Sequence, residues 1–264
     1  MKYKYSIVGV GKMGSALLNG ILKDKSDDKS EILLTVHGDK QKKEYTDLGF
    51  NATTDLKEGL SDASFIILSL KPQVVKSLEI FDEIDFTGKC VISVAAGLTV
   101  DYLSGRFKNA EIVRCMPNTP ALIGEGVTTI CAKNKASKNY EIAKKILSSV
   151  GKVYEIDERL MDATVPLNGS MPAYALYFAN GFIDYAVKSG VDEKTAKHLV
   201  LESIISSAKL ALSSDDDVSV LINNVCSKGG TTIAGLDRLI SGKVAESIYD
   251  CASACAERSE ELSK

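Results

Sequence analysis

Two short stretches of the chain hold residues whose type and spacing could do chemistry. The first is Gly9-Val10-Gly11-Lys12-Met13-Gly14, which follows the apolar run Tyr5-Ser6-Ile7-Val8 and precedes an apolar-periodic helix read over Ser15 to Leu22. In such a strand–turn–helix, Gly9 permits the tight turn, Gly11 lets backbone approach a pyrophosphate, and Gly14 lets helix and strand pack closely. That arrangement cradles a dinucleotide. The second stretch is Cys226-Ser227-Lys228-Gly229-Gly230-Thr231-Thr232, which leads into another helix. Two glycines ahead of a helix leave its first N–H groups open, and two hydroxyls stand beside them, an anion site sized for a carboxylate. An ordinary helix cap by a threonine is the alternative.

The elements that must position these residues change character halfway along. In the first half, strands alternate with helices, as in an α/β domain with a parallel sheet. Beyond a polar turn over Asp24 to Lys29, Glu31 to His37 is the second strand, and its end is where an acidic residue would bond the adenosine ribose of NAD. Asp39 could do that, yet Lys40, Lys42 and Lys43 crowd the same loop, where a 2′-phosphate would be welcome. The other reading of these lysines is a solvated helix face. The balance favours NADPH, with NADH possible.

Phe50 to Ala52 is a short strand, Thr53-Thr54-Asp55 caps a brief helix, and Ala63 to Leu70 is a strand buried on both faces. The run Ser69-Leu70-Lys71-Pro72-Gln73 ends it. Pro72 suits the first turn of the next helix, so Lys71 stands at the carboxyl edge of the sheet, as a ligand contact or as a surface lysine. Lys89 to Val94 ends in Ala95-Ala96-Gly97, which is a flat surface for a ring or simply a tight turn. Glu111 to Met116 leads into the stiff loop Pro117-Asn118-Thr119-Pro120. A strand over Gly124 to Ile130, a helix over Lys138 to Leu147 and a last strand over Gly151 to Ile156 complete a dinucleotide-binding domain expected over residues 1–156.

From Asp157 onward the period is helical, which sets a second domain at 157–264. Ala173 to Val187 is apolar on nearly every face, and a helix of that kind is buried on all sides. So small a bundle cannot easily do this within one subunit, so a dimer is expected. Further helices are read over Glu193 to Leu212, after Asp215-Asp216-Asp217, after the 229–232 stretch, and over Val244 to Leu262.

Composition narrows the classes. A formal charge of −3 gives no reason to expect nucleic acid or an anionic membrane as partner. Met1-Lys2-Tyr3-Lys4 runs straight into the first strand and leaves no room for a signal peptide, and 173–187 is too short for a membrane span. The six cysteines, Cys90, Cys115, Cys131, Cys226, Cys251 and Cys255, show no CxxC spacing and read as reduced residues of a cytoplasmic protein. With only His37 and His198, no metal site is expected.

The chain resembles the pyrroline-5-carboxylate reductases, which carry out the last step of proline synthesis, from end to end. The resemblance rests on Gly9 to Gly14, Leu70-Lys71-Pro72-Gln73, Ala95-Ala96-Gly97, Arg114-Cys115-Met116-Pro117-Asn118-Thr119-Pro120, Gly169-Ser170 with Pro172-Ala173-Tyr174, and Ser227 with Gly229-Gly230-Thr231-Thr232-Ile233-Ala234. It implies a Rossmann-type domain followed by an all-helical dimerisation domain interlocked with its twin, with catalysis between one subunit's cofactor domain and the dimer's helices. Higher assemblies of such dimers, up to decamers, occur in the family. The resemblance assigns the substrate carboxylate to Ser227, Gly230, Thr231 and Thr232, and the hydroxyl near the ring nitrogen to Thr232. It assigns the cofactor to Gly9, Val10, Gly11, Lys12, Met13, Gly14, Ser69, Leu70, Lys71, Pro72, Ala95, Ala96, Gly97 and Asn224; His37 and Lys40 join them at the ribose end on the reading of the loop after the second strand. Three positions depart from the family: Asn168 and Met171 stand where it has serine and glycine, and Lys228 where it has proline.

The chemistry of the residues agrees. A protonated cyclic imine is already an electrophile, so hydride transfer needs no metal and no covalent nucleophile, only positioning, a carboxylate anchor and exclusion of water. A β-hydroxyacid dehydrogenase would place a lysine on the central helix, and none lies between Arg159 and Val187. A reductase of the six-membered homologue and a non-catalytic nucleotide-binding paralogue stay as alternatives.

Overall fold

A computed structural model describes residues 1–23 and 28–263, so most of the polar turn expected from Asp24 lies outside the described residues. The chain divides into two compact units, residues 1–172 with 254–264, and residues 173–253.

The first unit is built on one eight-stranded sheet: β1 (Tyr3–Val8), β2 (Ile32–Thr35), β3 (Asn51–Thr53), β4 (Ala63–Leu68), β5 (Cys90–Ser93), β6 (Glu111–Met116), β7 (Gly126–Ala132) and β8 (Gly151–Glu155), in the order 3-2-1-4-5-6-7-8. Its helices are α1 (Lys12–Lys23), α2 (Asp39–Asp47), α3 (Leu56–Ser61), α4 (Pro72–Ser77), α5 (Val100–Arg106), α6 (Lys138–Ser148) and α7 (Met161–Thr164). The inner strands alternate between two cores, because successive side chains point to opposite faces. Ile7, Ile67 and Ile92 pack with Leu17 and Leu147 on one face; Ile66, Leu68 and Val91 pack with Phe81, Phe86 and Phe107 on the other. Burial on both faces is the reason these runs are apolar throughout.

Every neighbouring pair is parallel except β6 and β7. The expected alternation of strand and helix breaks there. Residues 117–125 hold only a 3₁₀ turn, Thr119–Ile123, closed by Gly124 at φ +82°, and a connection that short cannot cross over to a parallel strand.

Arg114 on β6 is buried and bonds Glu158 Oε1 and Asp162 Oδ1, both at 3.2 Å. Glu158 Oε1 also accepts the Val100 amide, 2.6 Å away. One guanidinium thus pins the segment 158–162 and the start of α5 to the sheet. A buried charge with two carboxylate partners is costly to strip of either.

The second unit holds α8 (Met171–Lys188, from residue 173 on), α9 (Glu193–Leu212), α10 (Val218–Val225), α11 (Thr231–Ser241) and the first part of α12 (Val244–Ser263). Its apolar residues are not enclosed. In this unit only Ala179 and Ala196 are buried, while Tyr177 is 86% exposed and Tyr185 71%. The α8 that reads as buried on all sides is mostly bare within one chain. Among the described residues no helix is long and apolar enough to cross a membrane.

Candidate functional site

The carboxyl ends of the strands open on one edge of the sheet. Backbone bonds extend the ladder one residue past each strand: Gly9 N to Thr35 O (3.0 Å), Val36 N to Thr53 O (2.9 Å), Ser69 N to Val8 O (2.9 Å) and Val94 N to Leu68 O (3.2 Å). The glycine turn, the His37 loop, Ser69–Lys71 and Ala95–Gly97 therefore share that edge. Strand order reverses at β1, where open α/β sheets place their ligands. A cleft of about 400 Å³ lies there, lined by Gly9, Gly11, His37, Gln41, Leu70 and Val74 among others.

The three glycines have three different reasons. Gly9 takes φ +94°, and a Cβ on it would stand 2.6 Å from Ser69 O. A Cβ on Gly14 would stand 2.3 Å from Gly9 O, so close packing of α1 on β1 forbids one. A Cβ on Gly11 would meet nothing within 4 Å. The protein itself does not require glycine there, which is what a ligand brought close to the backbone would require. Lys12 and Met13 open α1, whose first N–H groups face the turn.

At the ribose end, α2 has Gly38 as its N-cap with no side-chain acceptor, and Asp39 and Lys40 fill its first turn. Lys43 pairs with Asp47 at 2.7 Å, whereas Lys40 and Lys42 have no ion-pair partner among the described residues. Gln41 was not singled out by the sequence, yet it ties the two loops together. Its Nε2 donates to Val10 O at 3.0 Å, and its Oε1 accepts the His37 amide at 3.3 Å. Lys71 is the exposed N-cap of α4 and Pro72 its first residue, as the proline predicts. Ala95 and Gly97 face inward, leaving Ala96 half-buried.

The anion stretch belongs to the second unit. Gly230 N donates to Ser227 O at 2.9 Å, and Gly229 takes φ +71°, closing a tight turn over Lys228 and Gly229. Gly230 is the N-cap of α11 and makes no side-chain cap; Thr231 and Thr232 are its first two helical residues. The threonines therefore do not cap the helix, which removes that reading of them. Thr231, Thr232 and Ser227 are all exposed residues, with Gly230 half-buried between them. Asn224 lies on the preceding helix, α10, and is exposed.

Two buried asparagines brace the segment before α8. Asn168 donates to Met116 O at 2.6 Å, and Asn118 donates to Asn168 O at 3.2 Å while accepting the Val127 amide at 2.8 Å. Nothing in the sequence pattern points to this pair. Met171 starts α8 and is 41% exposed. All six cysteines are free thiols, and burial pushes Cys90 up to about 12 and Cys131 up to about 11. Among the described residues no group of three or more His, Cys, Asp or Glu could hold a metal ion.

Known proteins align with both units. A family model described as pyrroline-5-carboxylate reductase dimerisation matches residues 158–262, and one described as NADP oxidoreductase, coenzyme F420-dependent, matches residues 4–97. The crystal structure of Plasmodium falciparum pyrroline carboxylate reductase with NADP bound is similar at a TM-score of 0.89 and 29% identity, with 100% of each chain covered. The Synechocystis pyrroline-5-carboxylate reductase is 31% identical over 267 residues, the full length of both chains. That of Haemophilus influenzae is 32% identical over 262 residues, covering 97% of this chain and 96% of that protein. Matched along almost its whole length at that identity, the chain belongs to the pyrroline-5-carboxylate reductase family.

Proposed function

We infer that the protein is an NADPH-dependent oxidoreductase that reduces the cyclic imine 1-pyrroline-5-carboxylate to L-proline, the closing step of proline biosynthesis. The observation that carries this is the near full-length match to reductases of that name, one of them holding NADP. The residues present fit a dinucleotide, because Gly11 keeps its glycine although a Cβ there would enter open space, and the free end of α1 opens beside it.

Bound NADPH supplies the hydride. The chain's own residues hold and orient. The backbone from Gly9 to Gly14 receives the pyrophosphate. Lys40, Lys42 and the uncapped end of α2 receive the 2′-phosphate, with His37 beside them. Ser69 to Pro72, Ala95 to Gly97 and Asn224 complete the cofactor contacts. Ser227 and the amides of Gly230, Thr231 and Thr232 hold the substrate carboxylate at the positive end of α11. The Thr232 hydroxyl holds the proton on the ring nitrogen as the imine carbon is reduced.

The helical residues from 157 to 264 serve dimerisation and substrate binding, with two copies interlocked and such dimers able to assemble further, up to a decamer. Their support is the bare apolar surface of α8 and the match to a dimerisation family. Six free thiols, three of them buried, suit a cytoplasmic enzyme.

The competing reading is a reductase of the six-membered imine carboxylate, kept open because Met171 and Lys228 depart from the family pattern. NADPH oxidation with each imine, with the amino-acid product identified, separates the two. We expect proline, at a higher kcat/KM than the larger ring. Preference for the larger ring would reassign the substrate, and oxidation with neither would overturn the function.

A further inference from the structure

The far end of the last helix belongs to the cofactor unit, although most of α12 lies in the other. Ser259, only 5% exposed, donates to Asp162 Oδ1 at 2.7 Å, and Asp162 is itself held by Arg114. The final turn of α12 carries Glu260 and Glu261 and no basic residue, the wrong sign for the negative end of a helix. The missing cation comes from α4: Lys76 Nζ donates to Leu262 O at 3.0 Å. Leu262 also closes on the end of β5. Its backbone lies 3.0 Å from where a Cβ on Gly97 would stand, and Gly97 takes φ +74°. One helix turn thus touches both α4, which begins beside Lys71, and the Ala95–Gly97 loop.

We propose that the last turn of α12 is a positioning element of the cofactor site, with Lys76 and Leu262 fixing the 71–76 and 95–97 segments in the geometry that receives NADPH. This rests on the reading of those loops as cofactor contacts. Coupling between two sites acts equally in both directions, so NADPH that fixes the loops also fixes the helix end.

The test uses the full-length enzyme and hydrogen exchange across residues 255–262, with and without saturating NADPH. Exchange there slows when NADPH binds. Lys76→Met weakens NADPH affinity about three-fold, the scale of one exposed charge at a helix end, while KM for the imine at saturating NADPH stays put. Lys76→Arg restores the affinity. Unchanged exchange in the saturated wild type overturns the proposal without recourse to any variant, and so does wild-type NADPH affinity in Lys76→Met. A wild type that binds no NADPH at all would instead defeat the underlying assignment of the cofactor edge.

Discussion

Ile7, Ile66, Ile67 and Ile92 are fully enclosed between the sheet and its helices, whereas Leu176, Tyr177, Phe182 and Tyr185 face outward from α8. The two sets of residues are equally apolar. What differs is the supply of partners: the sheet has helices of its own chain on both faces, and α8 has little of its own chain against it. An apolar surface of that extent marks an interface rather than a free face. The lesson is that the same sequence signal, a run of apolar residues, means a finished core in one region and an unfinished one in the other.

The sharpest way to break the first half of that comparison is to add atoms at Gly14, where a Cβ meets Gly9 O at 2.3 Å. Gly14→Val should destabilise the fold by about 1–3 kcal/mol or more, as overpacking does, and should abolish NADPH binding; thermal melting and fluorescence titration read both. Gly11→Ala should melt like the wild type, because its Cβ enters open space, yet bind NADPH about ten-fold more weakly, a loss of roughly 1.4 kcal/mol. Equal effects at Gly11 and Gly14 would show that packing alone explains the glycines.

In the helical half, Thr232→Ala keeps the backbone amide of the first turn of α11 and removes only a hydroxyl. We expect kcat to fall roughly ten- to a hundred-fold, the low range for a positioned proton-handling group, with KM rising less. Gly230→Val should do the reverse and raise KM steeply, because its Cβ would stand 2.3 Å from Ser227 Oγ. Steady-state kinetics at saturating cofactor distinguish the two; full kcat in Thr232→Ala at every pH would leave proton handling to water. A smaller effect is expected at the ribose end. Replacing Lys40 and Lys42 by alanine should raise KM for NADPH about five-fold, on the scale of one ordinary net hydrogen bond, and leave KM for NADH nearly unchanged. A strong wild-type preference for NADH would promote Asp39 to the ribose ligand instead.

Much of this was legible because it is local. The glycine spacing, Pro72 at the start of α4 and the two glycines before Thr231 each name a backbone conformation, and the backbone adopts it. What escaped was long-range. Period and propensity do not say that β7 turns back antiparallel, that Gln41 reaches across to Val10 O, or that Arg114 gathers Glu158 and Asp162 around it. The return of α12 to the sheet was equally hidden, since its last turn reads as an ordinary polar helix end with two glutamates. Asn168 looked like a departure from a family pattern and proved to be a buried brace between Met116 O and the Asn118 amide. The chain at Lys228 shows the opposite case. It stands in the tight turn before α11 with its side chain exposed, and nothing else in the structure explains a lysine there.

The account stands on one region being complete within a chain and the other being completed by a second copy. Light scattering on enzyme that is turning over NADPH and 1-pyrroline-5-carboxylate tests this directly. A dimer or a multiple of dimers at every concentration that supports turnover is the predicted result, with activity lost on dilution wherever the mass falls to that of one chain. A folded monomer that remains fully active at micromolar concentration would contradict it, because the bare face of α8 would then need no partner and the substrate region would be whole within a single chain.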